Sequence, residues 1–391
     1  MTQHILGVAR TLPFHSIGGM QAIAWDLFRE FARLGHHVTV ITTTIPDRSG
    51  PFVADGVHVI PLEGTKAERC DGAWWRASAQ WFESGAAGPV DSVLSISSAG
   101  AAIAARHSLA PNAKFIFQAH GTSWGEFVSK WRTGRPIQWA KSVKNLYWLF
   151  KDTVVYKSFD CIALVGDVLQ TQFTQRPVRW MTGNVSTALI RNGVNERVFH
   201  PNAAARQQER AVLGWAVTDR VVVFAARLHP QKGGEVALRA FHQLANDMAG
   251  AKLLVIGGGE DLERLQTLSK DLGCSHQVHF TGPVARERMA SLLAAGDAFV
   301  FPTLRQEGLP MNVLEALATG LRPVCSSAMQ TVFGAALPIA YANPQDVSDF
   351  SAVLRVTMHA GSSPVSLLTP DYSLDACAQQ YLAVLQPQGS V

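Results

Sequence analysis

The sequence predicts an α/β protein built from two doubly wound, Rossmann-like domains. Short β-rich apolar runs alternate with helical patterns almost from end to end, which is the mark of βαβ units and parallel sheets. The 391 residues exceed one core of ordinary size, since domains run to about 100–200 residues. With 47% hydrophobic and 16% charged residues the chain can bury two cores.

In the first half the strand-like runs are HILGVA, HHVTVITTT, GVHVIPL, VDSVLSIS, KFIFQAH, DCIALV and ALIRNGV. The clearest helix between them is MQAIAWDLFREFARLG, in which Ile23, Leu27, Phe31 and Leu34 form a core-facing stripe and Gly35 sits at the stop position. FHPNAAARQQERAVLGW is polar and Ala-rich and reads as a linker. A second series follows: RVVVFAAR, AKLLVIG, HQVHFTG, DAFVFPT and RPVCSS, with helices opening near Gly233, Asp261, Val284 and Pro310. YSLDACAQQYLAVL reads as a terminal helix and QPQGSV as a frayed tail. The domains expected are 1–200, 201–371 and a final helix with tail over 372–391.

A net charge of +4 argues against a nucleic-acid surface across the molecule. The five cysteines are scattered and never spaced C-x-x-C, so neither a disulfide framework nor a zinc site is implied. A reducing cytoplasm is expected, and the first residues carry no secretory pattern. No apolar run reaches the roughly 18 residues of a membrane span.

In sheets of this kind the loops at the carboxyl ends of the strands hold the ligand. After DAFVFPT comes RQEGLPMNVLEALATG, with Glu307 in the loop and Glu315 in the helix. Pro310 suits the first helical position, which would leave capping to Leu309, a side chain that accepts nothing. The amides of Met311, Asn312 and Val313 would then be free donors at a positive helix end, a ready phosphate site. Arg227 and Lys232 lie in the loop after RVVVFA; alone they read as solvated surface, and beside the helix end they point to a diphosphate. LLVIGGGEDLERL brings a Gly-rich turn at Gly257, but G-x-G-x-x-G fails at Leu262, so no nicotinamide or flavin cofactor is called for. Gly18 and Gly19 precede the first long helix, either as a close approach for a phosphate or as a plain entry turn. His120 ends a strand beside Gly121, and no histidine spacing suggests a metal.

Together these pieces resemble the GT-B glycosyltransferases of family GT4, retaining enzymes that use nucleotide-sugar donors. The resemblance is strongest over ARLHPQKG, LLVIGGGEDLERL, VHFTGPV and DAFVFPTLRQEGLPMNVLEALATGLRPVCSS, which follow one another in the family's order; GGMQ, HGT and IRNGVNERVFHP also look like family landmarks. It implies two domains facing each other across a cleft, a last helix near Tyr372 to Leu385 that packs back on the first domain, and chemistry without metal or cofactor. Arg227 and Lys232 would hold the donor diphosphate, with the amides near Met311 and Asn312 assisting, and Gly257, Gly308 and Leu309 would belong to the donor site. Glu307 would contact the sugar, Glu315 the ribose, Pro283 and Val284 the base, Gly18 and Gly19 the phosphate, and His120 the sugar. The chain departs from the family at Pro310, which removes one amide donor. A UDP-sugar is the commoner donor, a GDP-sugar the other.

The acceptor implied is a glycan or a lipid-linked sugar in bacterial surface polysaccharide or lipopolysaccharide synthesis. Residues 127–159 hold seven Lys or Arg against one Asp, interleaved with aromatics. They read either as a peripheral patch for the anionic cytoplasmic face of the inner membrane or as an ordinary helix pair. A nucleotide-sugar epimerase and a non-catalytic nucleotide-sugar binder are the competing readings.

Overall fold

The computed structural model describes residues 2–16, 18–125, 151–305 and 307–386. The chain divides into two compact units, Met1–Gly193 with Leu374–Val391, and Val194–Ser373. The expected fold class is the one observed.

The first unit is an eight-stranded sheet in the order β3-β4-β2-β1-β5-β6-β7-β8. Its strands are β1 (His4–Val8), β2 (His37–Thr43), β3 (Phe52–Ala54), β4 (Val57–Leu62), β5 (Ser92–Ile96), β6 (Lys114–Ala119), β7 (Cys161–Leu164) and β8 (Ser186–Leu189). All pairings are parallel except the edge hairpin of β3 with β4. β1 and β5 are uniformly buried from the second residue on, as expected of strands covered on both faces. The helix Gly19–Arg33 buries Ala24, Leu27, Phe28 and Phe31. Ile23 and Leu34, expected in the same stripe, are only half-buried, because the stripe centres on Phe28. Gly35 closes the helix at φ +89°.

The second unit is a six-stranded parallel sheet, β11-β10-β9-β12-β13-β14. It comprises β9 (Arg220–Ala225), β10 (Ala251–Ile256), β11 (Val278–Phe280), β12 (Ala298–Phe301), β13 (Arg322–Ser326) and β14 (Ala340–Ala342). β9 runs to β10 and β11 on one side, and the chain then returns to lay β12 on the other, with Ala298 beside Val222. The loops after β9 and β12 therefore diverge at a topological switch point, where such sheets bind ligands.

One expectation is corrected. The stretch read as a linker holds a helix, Ala203–Val212, capped by the Asn202 side chain on the amide of Ala205. Its burial is polar: Arg210, 2% exposed, donates to the carbonyls of Ala295, Val217 and Asp219 and to the Asp297 carboxylate at 2.8 Å. Composition could not reveal those distant partners. The final helix, Leu374–Leu385, packs on the first unit, with Cys377, Ala378, Tyr381 and Leu385 in its core.

Among the described residues no helix is long and apolar enough to cross a membrane. Most of the basic aromatic segment, 126–150, lies outside the described residues. Of its remainder, Tyr156 and Phe159 belong to the core of the first unit, while Lys151 and Lys157 are exposed. The cysteines are all free thiols, four of them buried.

Candidate functional site

The loop after β9 is tied to the loop after β12. The Gln231 carbonyl accepts from the amide of Leu304 at 2.8 Å and lies 3.2 Å from the Thr303 hydroxyl. Gly233, at φ +76°, approaches so closely that a Cβ there would stand 1.9 Å from the Pro302 carbonyl oxygen, so only glycine fits. That apposition brings two candidates together: Lys232 Nζ lies 2.7 Å from Glu307 Oε1. The same carboxylate oxygen accepts from the Thr303 hydroxyl at 2.9 Å, and Arg305 stands 3.8 Å away. Glu307 is buried, and a buried carboxylate needs this pairing. Lys232 also sits 5.6 Å from the centre of the Phe301 ring. Arg227, in the same loop, is exposed and among the described residues makes no ion pair.

The helix that follows is Met311–Ala318, with Pro310 in extended conformation as its N-cap and no side-chain cap. Pro310 is thus one position earlier than expected, and Leu309 lies outside the helix. The end is uncapped all the same, because a proline side chain accepts nothing. The Val313 amide is occupied by the Pro310 carbonyl at 3.2 Å and by Asn312 Oδ1 at 3.1 Å. The amides of Met311 and Asn312 have no acceptor within the helix. The Asn312 side chain is itself committed, its Nδ2 donating to the Ala225 carbonyl at 2.7 Å. This bond pins the helix start to the end of β9.

Glu315, one helical turn further in, pairs with Arg286 at 3.1 Å, and both side chains are largely buried. Arg286 is the first residue of the helix Arg286–Ala294 and lies over the Phe199 ring at 4.9 Å. The helix opens near Val284 as expected, with Ala285 as its cap. Gly257 donates to the Gly282 carbonyl at 3.1 Å, and at φ +130° it lies so near Ala226 that a Cβ would stand 2.0 Å from that carbonyl oxygen. A Cβ on Gly258 would stand 3.0 Å from Cδ of the Pro283 ring. Close backbone packing thus accounts for Gly257. Gly308 is exposed and Val284 half-exposed.

Gly18, Gly19 and His120 belong to the first unit. Gly18 caps the helix Gly19–Arg33 without a side-chain bond, and a Cβ on Gly19 would meet open space. His120 follows β6, its Nε2 2.9 Å from Gln118 Oε1, and burial pushes its imidazole down to about 4. Arg286 and Thr303 escaped the sequence reading: each is an ordinary residue near a recognised motif, and only the fold sets it against a glutamate. No cluster of His, Cys, Asp or Glu among the described residues could hold a metal ion.

Residues 205–332 match the family described as "Glycosyl transferases group 1", and residues 18–180 the "Glycosyl transferase 4-like domain". A GDP-mannose-dependent alpha-(1-6)-phosphatidylinositol monomannoside mannosyltransferase of Mycolicibacterium smegmatis is 38% identical over 128 residues, 31% of this chain and 32% of its own length. The chain thus matches about a third of that relative's length. Sucrose-phosphate synthase from Thermosynechococcus elongatus has the same fold, with a TM-score of 0.75 at 18% identity over 98% of each chain. HepE from Anabaena, in complex with UDP and glucose, gives a TM-score of 0.71 at 15% identity over 98% of this chain and 99% of its own. Two parallel Rossmann-like sheets of GT-B type, the uncapped helix start between Glu307 and Glu315 and both family matches lead to one conclusion: the chain belongs to the GT4 family of glycosyltransferases.

Proposed function

We propose that this chain transfers a sugar, with retention of anomeric configuration, from a nucleoside diphosphate sugar to a glycan or lipid-linked acceptor, and that the second unit holds the donor. The observation that supports it most directly is the Lys232–Glu307 pair at 2.7 Å, set at the switch point beside the uncapped start of Met311–Ala318. The leaving diphosphate gathers negative charge. Lys232, Arg227 and the amides of Met311 and Asn312 are the groups that stabilise it. On binding, phosphate oxygens take over Lys232, and Glu307 is released to accept from a sugar hydroxyl. Glu315 exchanges its bond with Arg286 for the ribose hydroxyls, while Pro283 and Val284 lie along the base. Gly308, Leu309 and Gly257 line the donor backbone, Gly18 and Gly19 approach the phosphate, and His120 contacts the sugar. Attack from the face of the departing group gives retention, with the leaving phosphate taking the acceptor's proton.

The name of the mannosyltransferase relative supports a GDP-sugar and a lipid-linked acceptor. The HepE complex supports a UDP-sugar. Work on a lipid acceptor at the cytoplasmic face of a membrane, in surface polysaccharide or lipopolysaccharide synthesis, is the setting that follows.

The test is thermal stabilisation by UDP-glucose, GDP-mannose and their relatives, since a ligand at 100 times its Kd adds about 2.7 kcal/mol. Stabilisation by none of them overturns the reading. Glu307→Ala is expected to abolish transfer and leave nucleoside diphosphate affinity largely intact, whereas Glu315→Ala weakens the nucleotide itself. Equal loss of affinity in both would refute this division. Donor turnover without any acceptor would favour an epimerase instead.

A further inference from the structure

Behind His120 stands a buried polar chain that no part of the reaction above employs. Gln118, fully buried on β6, receives His120 Nε2 on its Oε1 at 2.9 Å and donates from its Nε2 to the Tyr381 hydroxyl at 2.8 Å. Tyr381 is equally buried, its ring edge-on to Phe31 with centroids 6.4 Å apart. It belongs to the helix Leu374–Leu385, more than 250 residues along the chain from His120. A buried side-chain amide has one acceptor and one donor end. Its orientation therefore dictates what the ring nitrogen beside it must be.

We propose that Gln118 and Tyr381 are positioning residues that hold His120 as the neutral Nε2–H tautomer, leaving Nδ1 as a hydrogen-bond acceptor for a donor hydroxyl of the transferred sugar. With Gln118 Nε2–H directed at Tyr381, Oε1 faces the imidazole, and only an Nε2–H ring can complete the bond. Among the described residues Nδ1 has no hydrogen-bond partner. A neutral ring with an accepting nitrogen selects sugars that present a hydroxyl at that position, and it rejects analogues whose hydroxyl is replaced by hydrogen or fluorine. The sugar contact rests on the function proposed above; the tautomer does not.

The test reads the ring directly. In the ligand-free protein carrying 15N-labelled histidine, the His120 resonances, assigned by their loss in His120→Gln, are expected at Nε2–H and unprotonated Nδ1 positions at pH 7. Tyr381→Phe, which removes one oxygen and keeps the ring, and Gln118→Leu are both expected to give a mixture of tautomers. In transfer assays with whichever of UDP-glucose and GDP-mannose stabilises the protein, both variants should lose about tenfold in kcat with little change in donor KM. Gln118→Glu, which keeps an acceptor facing the ring, should recover the Nε2–H signature. An Nδ1–H ring in the wild type, or a tautomer unmoved by both Tyr381→Phe and Gln118→Leu, overturns the proposal. If the tautomer behaves as expected while His120→Gln transfers sugar at the full rate, the relay stands and the role of His120 in the reaction falls.

Discussion

Glu307 and Glu315 lie on one short stretch, yet each meets a different cation: Lys232 at 2.7 Å and Arg286 at 3.1 Å. Each carboxylate is thus tied to its own cation, in keeping with the proposal that the two grip different parts of one donor. Losing a charge-assisted bond to a diphosphate costs roughly 1.5–3 kcal/mol. Lys232→Met should therefore weaken UDP or GDP by about ten- to a hundredfold in calorimetric titration, and unchanged affinity would remove Lys232 from the donor site. His120 carries a separate, pH-linked signature. Its folded pKa of about 4 lies below the ordinary 6.5, so its contribution to stability is intact above pH 6.5 and is lost as pH falls from there toward 4, where the unfolded chain binds the proton first. Burial also lowers His36, His37 and His279, so the informative quantity is the difference between proteins. Denaturation of His120→Gln should show a shallower loss of stability over that window than the wild type, and identical slopes would contradict the desolvated, neutral ring. At this scale Glu307, Glu315, Lys232 and Arg227 were legible because motif spacing and strand ends announce them. Arg286, Thr303 and Tyr381 were not, since their partners lie 29, 4 and 263 positions away along the chain and only the first two flank a motif at all.

Elements were legible where burial is apolar and periodic, and obscure where it is polar. The strands β9, β10 and β12 announce themselves as continuous apolar runs. The helix Ala203–Val212 does not, because what it buries is Glu209 and Arg210, and polar sequence suggests solvent unless the partners are known. Arg206 and Arg210 both grasp Asp297, 4% exposed, and reach the carbonyls of Ala294, Ala295 and Gly296 at the end of the helix Arg286–Ala294. The carbonyls of Ala294 and Ala295 lie at the negative end of that helix, where cations belong. Asp297→Ala would leave Arg210 buried without its carboxylate, and equilibrium unfolding should show a loss of about 3–5 kcal/mol. A loss under about 1 kcal/mol would make the clamp ornamental, at the level of a surface ion pair. The start of Met311–Ala318 invites the opposite change. Pro310→Ser supplies a side-chain cap worth about 1 kcal/mol, but it does so by competing for the amides proposed to meet the diphosphate. The variant should melt higher and bind UDP or GDP more weakly; tighter binding would show that the helix end does not meet phosphate.

On the scale of the molecule, two parallel sheets follow from the alternation of strands and helices, but the ownership of the last helix does not. Periodicity shows that Leu374–Leu385 is a helix without showing which core it completes. The pairing of residues so far apart is a long-range choice made by shape and by the Gln118–Tyr381 bond. The second unit is continuous, Val194–Ser373, whereas the first is closed by residues that follow it. Tyr381 and Leu385 are completely buried there, and Leu374 and Cys377 nearly so. At roughly 1.5–3 kcal/mol for each large apolar side chain, removing the helix takes away on the order of 5 kcal/mol, comparable with the whole stability of a domain. A chain ending at residue 373 should therefore lose the unfolding transition of the first unit and expose its apolar faces to protease. The second unit, with Lys232, Glu307, Arg286 and Glu315 all inside its own fold, should keep its transition and its affinity for UDP or GDP. Calorimetric scans of the intact and shortened chains, each with and without nucleotide, separate the cases. An unchanged first-unit transition in the shortened chain would show that the helix is dispensable to that core. Loss of nucleotide binding together with the helix would show instead that the donor site depends on more than the second unit.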